Sequence, residues 1–169
     1  MAVNLSLWVW VGLAVVAAWA VGAYSRLLRL RHGAEQARSS LRKYLLRCRD
    51  IAGSLDDSTA ASVWADMRHV SEMAELWGRD PKREGVPPGL GVAIDRVEHR
   101  MAQLRQQPED LAGAVLPQEL MTAWDSLVAD IAARRTRYNV HVSELNEALL
   151  QMPASVLARS VGMRTWERL

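Results

Sequence analysis

The sequence predicts an all-α protein: an N-terminal transmembrane helix followed by an antiparallel up-and-down four-helix bundle. Three observations predict it. A run of 20 residues, Leu5 to Tyr24, carries no charge. The rest of the chain repeats apolar residues in alternating steps of three and four. No sustained period-two run suggests a strand.

The first element is LSLWVWVGLAVVAAWAVGAY. About 20 helical residues rise roughly 30 Å, the thickness of a bilayer's hydrocarbon core. Trp8, Trp10, Trp19 and Tyr24 lie toward its two ends, where amphipathic rings favour the headgroup region. Ala18-Trp19-Ala20 resembles a signal-peptidase site, but the run is too long for a signal h-region and no Lys or Arg precedes it. A lipoprotein would need a cysteine at its end, and the only cysteine is Cys48. Arg26, Arg29, Arg31, Arg38, Arg42 and Lys43 follow on the C-terminal side. The positive-inside rule then puts the N-terminus outside and the larger part in the cytoplasm, in a cell (inner) membrane.

Apolar positions continue without a break at Leu30, Ala34, Ala37, Leu41, Tyr44, Cys48, Ile51 and Leu55. Anchor and first bundle helix therefore read as one helix, with a seam for packing. Asp56, Asp57 and Ser58 supply a stop and an N-cap. A second helix follows Ala60, Val63, Met67, Val70, Ala74 and Trp77, with Gly78 at the C′ position. Arg79 to Gly91 is a loop by its Pro and Gly content. Leu90, Ile94, Val97, Met101 and Leu104 mark a third helix, and Pro108 and Pro117 bracket a linker. Pro117 suits the first turn of the fourth helix.

That fourth helix runs through Leu120, Trp124, Leu127, Ile131, Arg134, Tyr138, His141, Leu145, Ala148 and Met152, until Pro153 ends or kinks it. A short amphipathic tail closes the chain, with Val156, Leu157, Val161 and Trp166 as its apolar residues. The divisions are an anchor over 1–25, a bundle over 26–152 and a tail over 153–169. The short linkers favour up-down-up-down connection.

Bulk numbers narrow the function classes. The chain has 169 residues, a net charge of +2 and one cysteine. Beyond the anchor there is room for one domain with a real core. A single cysteine excludes an internal disulfide framework. No aromatic-basic interleaving of the kind that stacks single-stranded nucleic acid is present, so no nucleic-acid binding is expected.

The fourth helix carries more than periodicity. The run IAARRTRYNVHVSELNEALLQMPASVLARSVGM resembles the C-terminal signature of the LemA family, with Ile131, Arg135, Tyr138, Asn139, Val142, Asn146, Pro153, Ala158 and Gly162 in register. YSRLLRLRHGAEQARSSL is similar to that family's post-anchor motif through Tyr24, Leu27, Leu30, Arg31, Ala37 and Ser39. Met152 and Met163 depart from the family's aromatic positions. The stretch from Leu55 to Leu116 lacks its acidic-Tyr-Pro motif. The resemblance implies a single anchor and a helical bundle, with no agreed activity. By family association alone it also admits a regulator of a membrane protease or envelope-stress pathway.

Candidate chemistry is sparse. HVSE occurs at His69–Glu72 and again at His141–Glu144, placing a His and a Glu on one helix face each time. Bundle di-metal sites use Glu-x-x-His, the reverse order. A metal protein or enzyme built on His69, Glu72, His141 and Glu144 is thus the second reading, and coincidence on solvated faces the first. Glu98 and His99 are adjacent and face different ways. Arg134 and His141 interrupt a seam, where polar residues fix register or reach water past packed stems. Asn139 and Asn146 share a face and are expected to cap a helix or bond between helices within the fold; the kink at Pro153 or a partner helix is the other reading. Cys48 reads as a small core residue. Arg38, Arg42, Lys43, Arg47 and Arg49 stand too far from a leaflet for strong attraction and are expected to be solvated, paired with acids or used by a partner. The expectation is a non-catalytic scaffold or adaptor, without cofactor, metal or catalytic residues. It meets protein partners at the membrane, and its seams also suit a homo-oligomer.

Overall fold

A computed structural model describes residues 2–53, 61–79, 85–106, 118–151 and 154–169. Expectations for Leu55, Asp56–Ser58, Ala60, Pro108, Pro117 and Pro153, and for the side chains of Leu104, Leu120 and Met152, fall outside the described residues. Among the described residues there are helices and no strand. They are α1 (Ala2–Gly53), α2 (Ala61–Arg79), α3 (Leu90–Arg105), α4 (Gln118–Leu150) and α5 (Ala154–Ser160).

α1 is one unbroken helix of 52 residues. It contains no Pro, and its internal glycines are isolated, so nothing interrupts its i→i−4 ladder. Its two halves live in different surroundings. From Leu7 to Trp19 every side chain is exposed, Leu7, Trp8, Val15 and Val16 among them at 60% or more. Leu27 is the first buried residue, followed by Ala34, Ala37, Leu41, Leu45 and Cys48. α1 is long and apolar enough to cross a membrane, with a mean hydropathy of 1.8 in its most apolar stretch.

The covered half of α1 is the spine of the fold. α2, α4 and α5 all pack on it, α3 packs on α2, and α5 also packs on α4. One continuous core results, containing Met67, Val70, Trp77, Leu90, Ile94, Met101, Trp124, Ile131, Tyr138 and Leu145. These are the seam positions of each periodic run. Burying a residue such as Leu41, which is wholly covered, contributes about 1.5–3 kcal/mol. Leu45 takes the core position beside Tyr44, which is only partly buried. The phenol ring instead packs under two guanidinium groups, Arg134 at 3.7 Å and Arg47 at 5.1 Å.

Two sequence expectations need correction. Gly78 is not a C′ residue: α2 continues through it to Arg79. Its missing side chain makes room for Arg42, whose Cζ would lie 2.0 Å from a Cβ placed there. Arg38 and Arg42 are not left to solvent: both reach main-chain carbonyls of α2. Arg38 is buried and donates to the carbonyl of Trp77, one of the last four carbonyls of α2, which lack partners within the helix. Arg42 Nε donates to the Ala74 carbonyl at 3.1 Å. Two cations from α1 thus meet the negative end of α2. Arg49 does pair with an acid, Glu75, at 3.0 Å.

Trp77 ties these helices together. Its ring meets Tyr138 edge-on, with centroids 5.7 Å apart, and the Arg38 guanidinium lies 5.1 Å from its centroid. Its indole N–H donates to the Gly85 carbonyl at 2.7 Å, which anchors the loop before α3. Gly85 and Gly89 have φ of +108° and +87°, a region that side chains disfavour. The Gly89 carbonyl accepts the first bond of α3 from Ala93, at 2.9 Å.

Candidate functional site

A cavity of about 220 Å³ lies between α1 and α4 and is lined by Gly33, Gln36, Ala37, Ser40, Arg134, Arg137 and His141. Small residues on α1 create it. Gly33 and Ala37 lie one turn apart, and a Cβ on Gly33 would approach His141 Nδ1 to 3.4 Å. The seam breakers Arg134 and His141 supply the opposite wall, so both keep packed stems and polar heads.

Arg134 is held from three sides. Its Nη1 donates to Ser40 Oγ at 2.6 Å, its Nη2 is 3.9 Å from Asp130, and its plane covers Tyr44. Its Nε is buried and has no hydrogen-bond partner. His141 Nδ1 lies 3.3 Å from Glu144 Oε2. Arg137 is exposed on the rim. The lining itself carries two guanidiniums and an imidazole and no carboxylate. That chemistry suits an acidic group, since guanidinium forks match carboxylate and phosphate geometry. Ser40 receives a cation's N–H, an arrangement unlike the base-activated hydroxyl of nucleophilic catalysis.

The two HVSE motifs are not brought together. His69 and Glu72 are exposed on α2, whereas His141 lines the α1–α4 cavity and Glu144 is exposed beside it on α4. Among the described residues no group of three or more His, Cys, Asp or Glu is placed to hold a metal ion. His99 is exposed and bonds Gln103 at 3.1 Å. Glu98 sits half-buried near Asp95 and Arg135. Its carboxyl is pushed above the ordinary range by burial and then by the Asp95 charge, with Arg135 opposing. Cys48 is a core residue, 2% exposed, and burial pushes its thiol up to about 12. A thiol in that state is a poor nucleophile.

Asn139 and Asn146 bond within the fold, to the backbone of the tail rather than between helices. Each amide clamps the backbone of one tail residue from both sides. Asn146 donates Nδ2 to the Trp166 carbonyl and accepts from the Trp166 N–H, both at 2.8 Å. Asn139 does the same at Leu169, at 2.6 and 2.8 Å. Tyr138 Oη donates to the Glu167 carbonyl at 3.1 Å, and burial pushes that phenol well above its usual range. The chain after α5 therefore lies extended along α4, with Trp166 buried against the core. Spacing of seven announced a shared face, but nothing local in the sequence announced that the partner was backbone.

No protein-family model matches the chain, and neither a curated protein nor a solved structure matches it.

Proposed function

We propose that the chain is a single-pass, membrane-anchored scaffold of the LemA type. Leu5 to Tyr24 would lie in a bacterial inner membrane, with the N-terminus outside and the helical part in the cytoplasm. It would hold a protein partner there and perform no chemistry itself. One observation carries this reading: α1 is bare over its apolar half and sheathed by other helices over its second half, within one continuous helix. A bare apolar helix of that length calls for lipid, because no packed neighbour covers it.

The helical part is read as an antiparallel four-helix bundle. Residue numbers fall along α2 and α4 as they rise along α1. Arg38 meets Trp77 and Arg42 meets Ala74, while Gly33 meets His141 and Ser40 meets Arg134. The cation-lined cavity between α1 and α4 offers an acidic segment of the partner a place to dock.

A photoreactive residue at Gln36, on the cavity rim, tests the scaffold in native membranes. The expected result is a discrete crosslinked partner that is lost when Arg137→Glu is added. No crosslinked species above background would refute the reading. Protease shaving of intact cells tests the orientation: the helical part should survive, and its loss would place it outside.

A further inference from the structure

The end of the helical part nearest the apolar half of α1 exposes apolar and basic side chains together. α4 and α1 run in register there: Arg134 meets Ser40, and seven residues on, His141 meets Gly33. Nine residues further along α4 is Leu150, its last residue, and nine residues back along α1 is Tyr24, the end of the charge-free run. Both intervals are about 13–14 Å. The α4–α5 corner therefore stands level with the point where α1 becomes uncovered. α5 follows immediately and packs on both α1 and α4.

At this corner Leu150 is 72% exposed, Val156 60% and Val161 48%. The charges beside them are mostly positive, with exposed Glu147 one turn before Leu150 as the acid at this height. Arg26, Arg29, Arg159 and Arg164 are exposed. No Asp or Glu occurs before Glu35 or between Glu147 and Glu167. Apolar side chains in water beside four exposed guanidiniums and one carboxylate, level with the start of the apolar half of α1, fit the boundary between anionic headgroups and acyl chains.

We infer that the α4–α5 corner is a second membrane contact. Leu150, Val156 and Val161 enter the headgroup–acyl boundary, and Arg26, Arg29, Arg159 and Arg164 face lipid phosphates. The inference rests on α1 being the anchor. Two attachments, α1 and the corner, then hold the helical part at a fixed tilt to the bilayer.

The test uses the full chain with Cys48→Ala, reconstituted into phosphatidylglycerol–phosphatidylcholine vesicles. An environment-sensitive fluorophore is attached at one introduced cysteine: Val156→Cys at the corner, Val15→Cys in α1, or Val92→Cys on the exposed face of α3. The expected result is spin-labelled-lipid quenching at positions 15 and 156, with iodide quenching at 156 roughly threefold or more below that at 92, since the boundary excludes aqueous ions. Lipid quenching at 15 together with water exposure at 156 equal to that at 92 would overturn the corner contact and leave the anchor standing. Protection from iodide at 156 without lipid quenching would overturn it in favour of a protein contact. Water exposure at 15 would overturn both readings, and is distinguished by that position alone.

Discussion

Asn146→Ala should release the C-terminal tail while leaving the helices folded. The side chain makes two neutral hydrogen bonds at 2.8 Å to the N–H and C=O of Trp166. Each contributes about 0.5–1.5 kcal/mol net, so the clamp contributes about 1–3 kcal/mol to holding the tail. Residues 163–169 form no helix or strand, so side-chain contacts retain them: the bonds of Asn139, Asn146 and Tyr138, a long one from Arg168 to Ser143, and the packing of Met163, Trp166 and Leu169 on the core. The loss should therefore appear as local opening rather than global unfolding. Amide hydrogen exchange at Trp166 should accelerate by roughly 5- to 150-fold, the range that 1–3 kcal/mol implies. Exchange of core amides in α1 and α4 should be unchanged. Asn146→Asp should also fail, because it keeps the acceptor for the Trp166 N–H but sets a carboxylate oxygen against the Trp166 carbonyl. Trp166 exchange within about twofold of wild type in Asn146→Ala would show that the clamp contributes under about 0.5 kcal/mol, and would refute the reasoning.

Gly78→Ala should be mildly destabilising in the wild type, because the new Cβ displaces Arg42 from the Ala74 carbonyl. In an Arg42→Ala background it should stabilise by up to about 1 kcal/mol, the helix preference of Ala over Gly, so a double-mutant thermal-unfolding cycle should show a change of sign. Glu98→Gln should raise Tm at neutral pH. The folded carboxyl is shifted upward, so its stabilising contribution is complete only below its unfolded value and fades as pH rises through the folded one; the advantage of Gln should vanish on acidification, by Tm against pH. Cys48 has the same sign at alkaline pH. Its contribution is intact below 9.0 and is lost as pH rises toward about 12, at about 1.4 kcal/mol per pH unit at most; denaturant titration should find this slope absent between about pH 9 and 10 in Cys48→Ala, whereas buried Tyr138 adds one of the same sign above pH 10. The Cys48 thiol should also resist alkylation until the protein is denatured.

Helix positions and core faces were legible because each run repeats its apolar residues at helical spacing over four turns or more. Val63, Met67, Val70, Ala74 and Trp77 are all buried as that spacing requires. Interactions that cross the chain were not legible. Arg38 and Arg42 resemble any other members of a basic run, and only the α2 carbonyls, 32 to 39 residues away, explain them. Gly78 carried the local mark of a helix end, yet a guanidinium arriving from another helix set its identity. The α1–α4 cavity was half visible. Arg134 and His141 stood out as polar breaks in a seam, whereas the space before them depends on Gly33 and Ala37, whose smallness has no meaning until the helices are placed together. The asparagine pair showed its shared face and hid its partner, because a backbone amide is the same group in every residue.

The unbroken backbone of α1 has a mechanical consequence. From Tyr24 to Gly53 it reaches about 44 Å. With no glycine–proline break to absorb bending, a change of about 10° in the axis direction at Tyr24 displaces the far end by roughly 8 Å. Rotation about the helix axis passes along it in the same way. With the apolar half in lipid, as proposed, whatever grips α2 or α4 would turn that half by the same angle, making α1 a drive shaft between the two faces of the membrane.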